Sequence, residues 1–359
     1  MKRSFMRIVV GMSGGVDSSV AAAMLKEQGH EVIGLFMRNW REEDDGGKCT
    51  AAEDFFDVKR VAASLSIPYY SADFSKEYWE RVFLRFVEEY RNGRTPNPDV
   101  LCNREIKFGP FLEHAFALNA DAVATGHYAG IKKLDGRTFL TKAADAAKDQ
   151  TYFLNQLTEK QIERVVFPLQ GIATKAEVRA LAQKYGLATA GKKDSTGICF
   201  IGERRFREFL KGYIPMKTGD IMTEDGRVVG RHGGVYYYTL GQRRGLGLGG
   251  DRDTDGGRWF VVGKDVLKNI LYVSNGDESV LYRKELTTES FNFITERPAK
   301  NTLRVTARIR HRQPEQNAVV EIDGDRVCVV FDIEQRAITS GQYVVLYDGE
   351  ICLGGGVIQ

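Results

Sequence analysis

The stretch Ile8-Val9-Val10-Gly11-Met12-Ser13-Gly14-Gly15-Val16-Asp17-Ser18-Ser19-Val20-Ala21 decides how the chain is read. Apolar Ile8 to Val10 predict a buried strand. The Ser/Gly run turns the chain, and Asp17-Ser18-Ser19 predicts the cap of a helix that continues through Met24 and Leu25. A strand, a glycine turn and a helix N-terminus make an anion site, because free backbone N–H groups and the helix dipole point at the same spot. Glycines let the backbone close on a phosphate. The run is not the GxxxxGK[ST] nucleotide loop, since no lysine precedes the hydroxyls. The bland alternative is an ordinary glycine turn in an α/β sheet.

Outward from this stretch, Glu31 to Met37 reads as a second strand and Arg41 to Lys48 as a polar loop. Ala51 to Leu65 reads as a helix, Tyr69 to Phe74 as a third strand, and Tyr78 to Tyr90 as a long amphipathic helix. This alternation predicts an α/β fold with a doubly wound parallel sheet, whose ligands sit outside the C-terminal strand ends. Met37 then lies beside the glycine loop, either as core or packed on an adenine ring. Ala120 to Tyr128 predicts a fourth core strand ending in Gly126 and His127. Gly126 permits backbone approach to a nucleotide; His127 either faces the cleft or is a satisfied structural histidine. Ile131 to Leu140 reads as a hairpin turning at Asp135-Gly136, and Lys148-Asp149-Gln150 follows on a polar segment. Thr174-Lys175-Ala176-Glu177 fits a capping box whose helix stops near Tyr185-Gly186.

At 359 residues the chain is too long for one typical core, so two or three domains are expected. No apolar run suits a bilayer and the N-terminus lacks a signal-peptide core, which predicts a cytoplasmic address without a membrane partner. The net charge of only +3 means that a nucleic-acid partner must meet local basic patches. The five cysteines are widely spaced, with no CxxC pair, which fits neither a secreted disulfide framework nor a zinc site.

Two cysteines stand in unusual company. Pro96 and Pro98 predict a stiff, non-helical loop over 93–103 that delivers Asp99 and Cys102 together. Asn103, Arg104 and Lys107 surround Cys102 with polarity and positive charge, which favours a thiolate; the bland reading is a buried thiol. Cys199 lies in the small, polar run Asp194-Ser195-Thr196-Gly197-Ile198-Cys199-Phe200, downstream of Lys192 and Lys193. Cys328 and Cys352 lie in apolar runs and read as packing residues, and Cys49 carries no assigned role.

From about Arg204 short strands and glycines take over. Segments at 219–222, 227–230 and 235–238 predict a small β-rich unit, and Gly241 to Gly250 forms a basic glycine-rich loop. From Thr302 onward, strands with Asp-Gly turns at Asp323-Gly324 and Asp348-Gly349 predict an antiparallel barrel. Period two places Arg304, Arg308, Arg310 and Arg312 on one face, read as a nucleic-acid surface. The expected division is 1–203, 204–280 and 281–359.

Ser13 to Ser19 resembles the loop of the ATP pyrophosphatase superfamily of adenylating enzymes. With Leu35-Phe36-Met37, Asn39-Trp40, Arg94 to Asp99, Cys102-Asn103, Ala124 to Tyr128, Lys148 to Gln150, Asp194 to Phe200 and Tyr238 to Arg243, the chain resembles the bacterial and organellar tRNA-specific 2-thiouridylases along its length. The resemblance implies an ATP-dependent tRNA-uridine 2-sulfurtransferase acting on the wobble uridine of tRNAs for Lys, Glu and Gln. It implies phosphate binding by Gly11, Met12, Ser13, Gly14, Gly15, Val16, Asp17 and Ser18 with Mg²⁺, and adenosine bordered by Met37 and Gly126. Cys199 is similar to the family's persulfide carrier, loaded by a sulfur-relay protein or cysteine desulfurase. Cys102 matches the second catalytic cysteine, pairing with Cys199 in a disulfide. The resemblance makes Asp99 a general acid or base, and Asn97, Pro98 and Asp99 the walls around the flipped base. It places His127, Lys148, Asp149, Gln150, Arg310, His311 and Gln342 against tRNA. The rival readings are an amide-forming ATP pyrophosphatase acting on a small carboxylic acid and a non-catalytic tRNA-binding module.

Overall fold

The structure, a computed structural model, describes residues 5–40, 51–193, 206–249 and 257–359. Cys49, Cys199 and the rest of 194–205 lie outside the described residues, as does Gly250.

Strand β1 (Arg7–Met12) leads through the glycine turn into helix α1 (Val16–Glu27), followed by β2 (Glu31–Arg38), α2 (Ala51–Leu65) and β3 (Tyr69–Asp73). The long helix starts three residues earlier than its sequence pattern suggests. It runs through Ser75–Tyr78, the π-type turns Trp79–Phe83 and Leu84–Arg91. Strand β4 (Ala122–Thr125) follows, then the hairpin β5 (Gly130–Leu134) and β6 (Arg137–Thr141), and the two-residue β7 (Val165–Val166). Two residues are too few to carry a period, so β7 had no sequence signal.

These strands form a parallel sheet in the order β3-β2-β1-β4-β7. Its alternating side chains feed two cores. Val9, Ile33, Leu35, Met37 and Val123 pack with the 75–91 helix, Val100, Ile106 and Phe111. Ile8, Val10, Met12, Val32, Phe36 and Ala124 pack against α1, α2 and the Lys175–Lys184 helix. Helices on both faces explain why the strands read as continuous apolar runs.

A second sheet, ordered β10-β11-β8-β9, is built from β8 (Gly219–Met222), β9 (Val228–His232), β10 (Trp259–Asp265) and β11 (Ile270–Asn275). The strand expected at 235–238 is instead one 3-10 turn, Val235–Tyr237. Gly234, at φ 144°, breaks the extended path, and the Tyr237 hydroxyl donates to Ile214 O at 2.6 Å.

Strands β12 (Tyr282–Phe293), β13 (Thr302–Arg308), β14 (Gln316–Asp323), β15 (Arg326–Arg336), β16 (Tyr343–Asp348) and β17 (Ile351–Ile358) form the expected antiparallel barrel. It is ordered β12-β15-β14-β13-β16-β17, and β12 closes it by pairing with β17. The β5–β6 hairpin from the first half extends this sheet, with Thr141 opposite Ile351.

Two expectations about the barrel need correction. The four arginines do not form one open basic face. Arg304 is exposed but paired with Asp332, Arg308 is buried against Asp149 and Glu315, and the strand ends at Arg308, before Arg310 and Arg312. The neutralising acids come from other segments, so reading along one strand could not reveal them. Cys328 is half-buried on β15, between the inward-facing Val327 and Val329, whereas Cys352 is buried as expected.

Burial lowers the pKa of the Lys264 ammonium, which donates to Tyr238 O at 2.9 Å, from 10.5 to about 8. The unfolded chain therefore binds more protons between about pH 8 and 10.5, and this residue makes stability rise with pH across that window. Urea melts of Lys264→Met are expected to lose that increment and to show higher stability than the parent at pH 7.

Candidate active site

The glycine cradle forms where β1 ends. Helix α1 begins at Val16 with Gly15 as its N-cap, and no side chain caps it. Asp17, Ser18 and Ser19 thus stand inside the first turn rather than at the cap. Ser13 N donates to the Ser18 hydroxyl at 3.2 Å, while the Ser18 and Ser19 hydroxyls donate to Gly15 O at 3.2 and 2.8 Å. The loop is braced by these serine hydroxyls, and a capping acceptor is missing where an anion would bind.

Two glycines set how closely the walls approach. Gly14 has φ 75°, and a Cβ there would stand 2.4 Å from Asp54 O of α2. A Cβ on Gly126 would lie 2.7 Å from Ser18 N and 2.9 Å from Asp17 C. Gly126 therefore lets the end of β4 lie directly on the first turn of α1. Gly11 is hemmed in by Phe111, at 3.1 Å from its Cβ position. Met12 and Met37 are buried at the C-terminal ends of neighbouring strands β1 and β2. The cradle, Met37 and Gly126 thus share one edge of the sheet, and these residues fit a nucleotide polyphosphate.

Beyond Gly126, His127 Nδ1 lies 2.8 Å from the Thr125 hydroxyl, and its ring packs on Phe108 and Phe167. Burial, aided by the charge of Lys107, holds its pKa well below the usual value and keeps it neutral. The Tyr128 hydroxyl donates to Asp17 Oδ1 at 2.8 Å, and Lys175 Nζ contacts both Asp17 oxygens at 2.7 and 2.8 Å. Neither Tyr128 nor Lys175 was assigned a role from sequence. Lys175 is 158 residues from Asp17, and only the fold brings them together.

Residues 93–103 differ from the stiff loop expected. Asn97 caps a short helix, Pro98–Cys102, its Oδ1 accepting from Val100 N at 3.4 Å, with Pro98 at the first helical position. A proline suits that position because its missing N–H has no partner there anyway. Asp99 and Cys102, three residues apart on a helix, share a face.

Cys102 is fully buried, in the cluster that contains Val100 and Ile106, rather than set in a cationic surface. Arg104 turns to Glu105, at 2.7 Å, and to Gln156, and Asn103 donates to Phe153 O.

The remaining candidates form two groups. Gln342 Nε2 donates to Thr95 O at 2.7 Å, just ahead of Asn97. With Arg310, Thr239 and Thr339 it lines a cavity of about 440 Å³ between the three parts of the chain. In the second group, Gln150 Oε1 accepts from Tyr128 N at 2.9 Å, Lys148 is half-buried, and His311 lies 3.3 Å from Asp149 O and against Phe153.

The Asp149 carboxylate is not open to a tRNA. It is buried, accepting from Ala143 N at 3.2 Å, from the Thr151 hydroxyl at 2.7 Å and from Arg308 at 3.0 Å. Its role in this structure is to hold the buried Arg308.

Two substitutions test this geometry. Asp149→Ala leaves Arg308 buried beside Glu315 alone, and urea unfolding is expected to show a loss of about 3 kcal/mol. Gly126→Ala pushes a methyl into the α1 backbone and is expected to cost about 1–3 kcal/mol in the same assay.

Comparison with known proteins agrees with this architecture. The family described as tRNA methyl transferase HUP domain matches residues 6–203, the tRNA methyl transferase PRC-barrel domain matches 207–275, and the aminomethyltransferase beta-barrel domain matches 283–358. The tRNA-specific 2-thiouridylase MnmA of Streptococcus mutans serotype c is 56% identical over 98% of this chain and 95% of its own. The proteins of the same name from Streptococcus sanguinis and Streptococcus pyogenes serotype M49 are 56% and 55% identical, each over 99% of this chain and 96% of their own. A match of this depth, running through all three parts of the chain, makes the protein a member of the tRNA-specific 2-thiouridylase family.

Proposed function

We propose that this protein is a sulfurtransferase that replaces O2 of the wobble uridine of tRNA with sulfur at the cost of ATP. The observation that carries the reading is the uncapped N-terminus of α1, overlain by Gly126 and Gly14, in a chain that aligns with 2-thiouridylases over its full length. A uridine carbonyl oxygen is a poor leaving group, and ATP supplies the activation by transferring AMP to it.

Gly11 to Ser18 would hold the phosphates through backbone N–H groups, with Mg²⁺ sharing the charge. Met37 and Gly126 would border the adenosine. Asn97 and Pro98 would shape the pocket of the flipped base, with Asp99 as general acid or base. Cys199 would carry the persulfide delivered by a sulfur-relay protein or cysteine desulfurase. Its terminal sulfur, or hydrosulfide released from it, would attack C2, and Cys102 would close a disulfide with Cys199. His127, Lys148, Gln150, Arg310, His311 and Gln342 would contact tRNAs for Lys, Glu and Gln. In this reading the chain works in the cytoplasm and divides at 1–203, 204–280 and 281–359. Among the described residues no helix is long and apolar enough to cross a membrane.

Burial of Cys102 adds a requirement: its sulfur must be uncovered when tRNA binds. With ATP, Mg²⁺, a persulfide donor and unmodified tRNA, the protein is expected to form 2-thiouridine, and Cys102→Ala and Cys199→Ala are each expected to abolish it. Full activity in both variants would refute the cysteine roles. Iodoacetamide labelling, read by peptide mass spectrometry, is expected to modify Cys102 slowly in the free protein and faster with tRNA.

A further inference from the structure

After β4 the chain leaves the parallel sheet, enters the barrel sheet as the β5–β6 hairpin, and comes back through a narrow neck. The two ends of this excursion, Tyr128 and Gln150, close on each other twice. Gln150 N donates to Tyr128 O at 2.8 Å, and Tyr128 N donates to Gln150 Oε1 at 2.9 Å. Just inside the neck, Arg308 of β13 grips the Asp149 carboxylate, and His311 Nε2 lies 3.3 Å from Asp149 O. The neck therefore carries Lys148, Asp149 and Gln150, and it is held from the barrel side by the segment that contains Arg308 and His311.

Tyr128 also reaches the other way. It is buried, and its hydroxyl donates to Asp17 Oδ1 at 2.8 Å in the first turn of α1. Asp17 is the acidic residue of that turn, which also holds the open backbone donors of the cradle. A loosely held carboxylate there competes with phosphates for the positive pole of the helix and repels them. Keeping it aside takes a donor at a fixed place. A phenol ring this deeply packed moves with its backbone, so the Tyr128 hydroxyl is placed only as firmly as the neck is.

We infer that Tyr128 is a positioning residue that couples the two substrates. tRNA seated on Lys148, Gln150 and His311 steadies the neck, Tyr128 then holds Asp17 clear of the cradle, and ATP binds more tightly. This rests on the ATP- and tRNA-dependent reading above. The link is short and continuous: from His311 to Asp149, along the chain to Gln150, and through Tyr128 to Asp17, every joint is a hydrogen bond or a peptide bond. Because binding free energies are linked, ATP tightens tRNA by the same factor. The coupling favours filling the cradle when the acceptor of AMP is already in place.

The test measures equilibrium affinities of the full-length protein for unmodified tRNA and for α,β-methylene-ATP with Mg²⁺, an analogue whose pyrophosphate cannot leave. Each ligand is titrated alone and with the other saturating. The parent is expected to bind the analogue about fivefold or more tightly with tRNA than without it, and tRNA more tightly with the analogue by the same ratio. Tyr128→Phe, which removes one hydroxyl, is expected to bring both ratios to about one while each ligand alone still binds. Gln150→Leu, which deletes the acceptor of Tyr128 N, is expected to lower both ratios as well and serves should the Phe variant fold poorly. Tyr185→Phe cuts the bond from Tyr185 to Glu27 at the far end of α1 and is expected to keep the parent's ratios. Independent binding of the two ligands to the parent, or parental ratios in Tyr128→Phe, would overturn the inference and leave the ATP-dependent reading intact. A parent protein that binds neither ligand would refute that reading and the inference with it.

Discussion

Everything at the functional edge of the sheet depends on the backbone donors at the start of α1 staying available. Gly15 offers no side chain to cap them, and the serine hydroxyls around it bond to the loop itself. In most helices such donors are satisfied by a neighbouring Ser, Thr, Asp or Asn. Here the cost of leaving them open is carried by the packing of the surrounding layers. Buried β1 fixes the loop from below, Gly126 brings the end of β4 onto it, and Gly14 brings α2 against it.

A second constraint joins the cradle to the barrel. Tyr128, which touches Asp17, is paired through its backbone with Gln150. Asp149 beside it holds Arg308, which is shared with Glu315, which in turn takes Lys142 at 2.7 Å. A charge network this well buried is sensitive to the loss of any member. It fixes the register between the nucleotide edge and the barrel, so side chains on the barrel side, such as His311, stand at defined positions relative to the cradle.

The parallel sheet was legible from Ile8 to Val10, Glu31 to Met37 and Ala122 to Thr125, because double-sided burial leaves unbroken apolar runs. The hairpin at Asp135-Gly136 was legible for a different reason: both residues take positive φ, which that pair tolerates. What stayed hidden depended on contacts between distant segments. Arg308 looked like an exposed base until Asp149 and Glu315 were found against it, and Asp149 looked like a ligand contact for the same reason. Lys175 was visible only as part of a helix cap. Its Thr174 does accept from Glu177 N, but the Glu177 carboxylate accepts from Ala173 N rather than closing the reciprocal box. For Cys102, charged neighbours in sequence suggested an open thiol, yet Arg104 turns to Glu105 and Gln156 while the cysteine is buried in the core.

The β5–β6 hairpin has a consequence for how the chain is made. Its partner strand, β17, is synthesised more than two hundred residues later. Until then β6 presents an unsatisfied edge, a template for wrong pairing. Lys132, Lys133 and Arg137 give this ribbon a positive charge that discourages self-association, and Lys132 later meets Glu350 at the start of β17. The nascent chain thus covers this hairpin only once β17 has been made, and a chain truncated before β17 would lack both the barrel's closing strand and the cover for a segment that belongs to its first half.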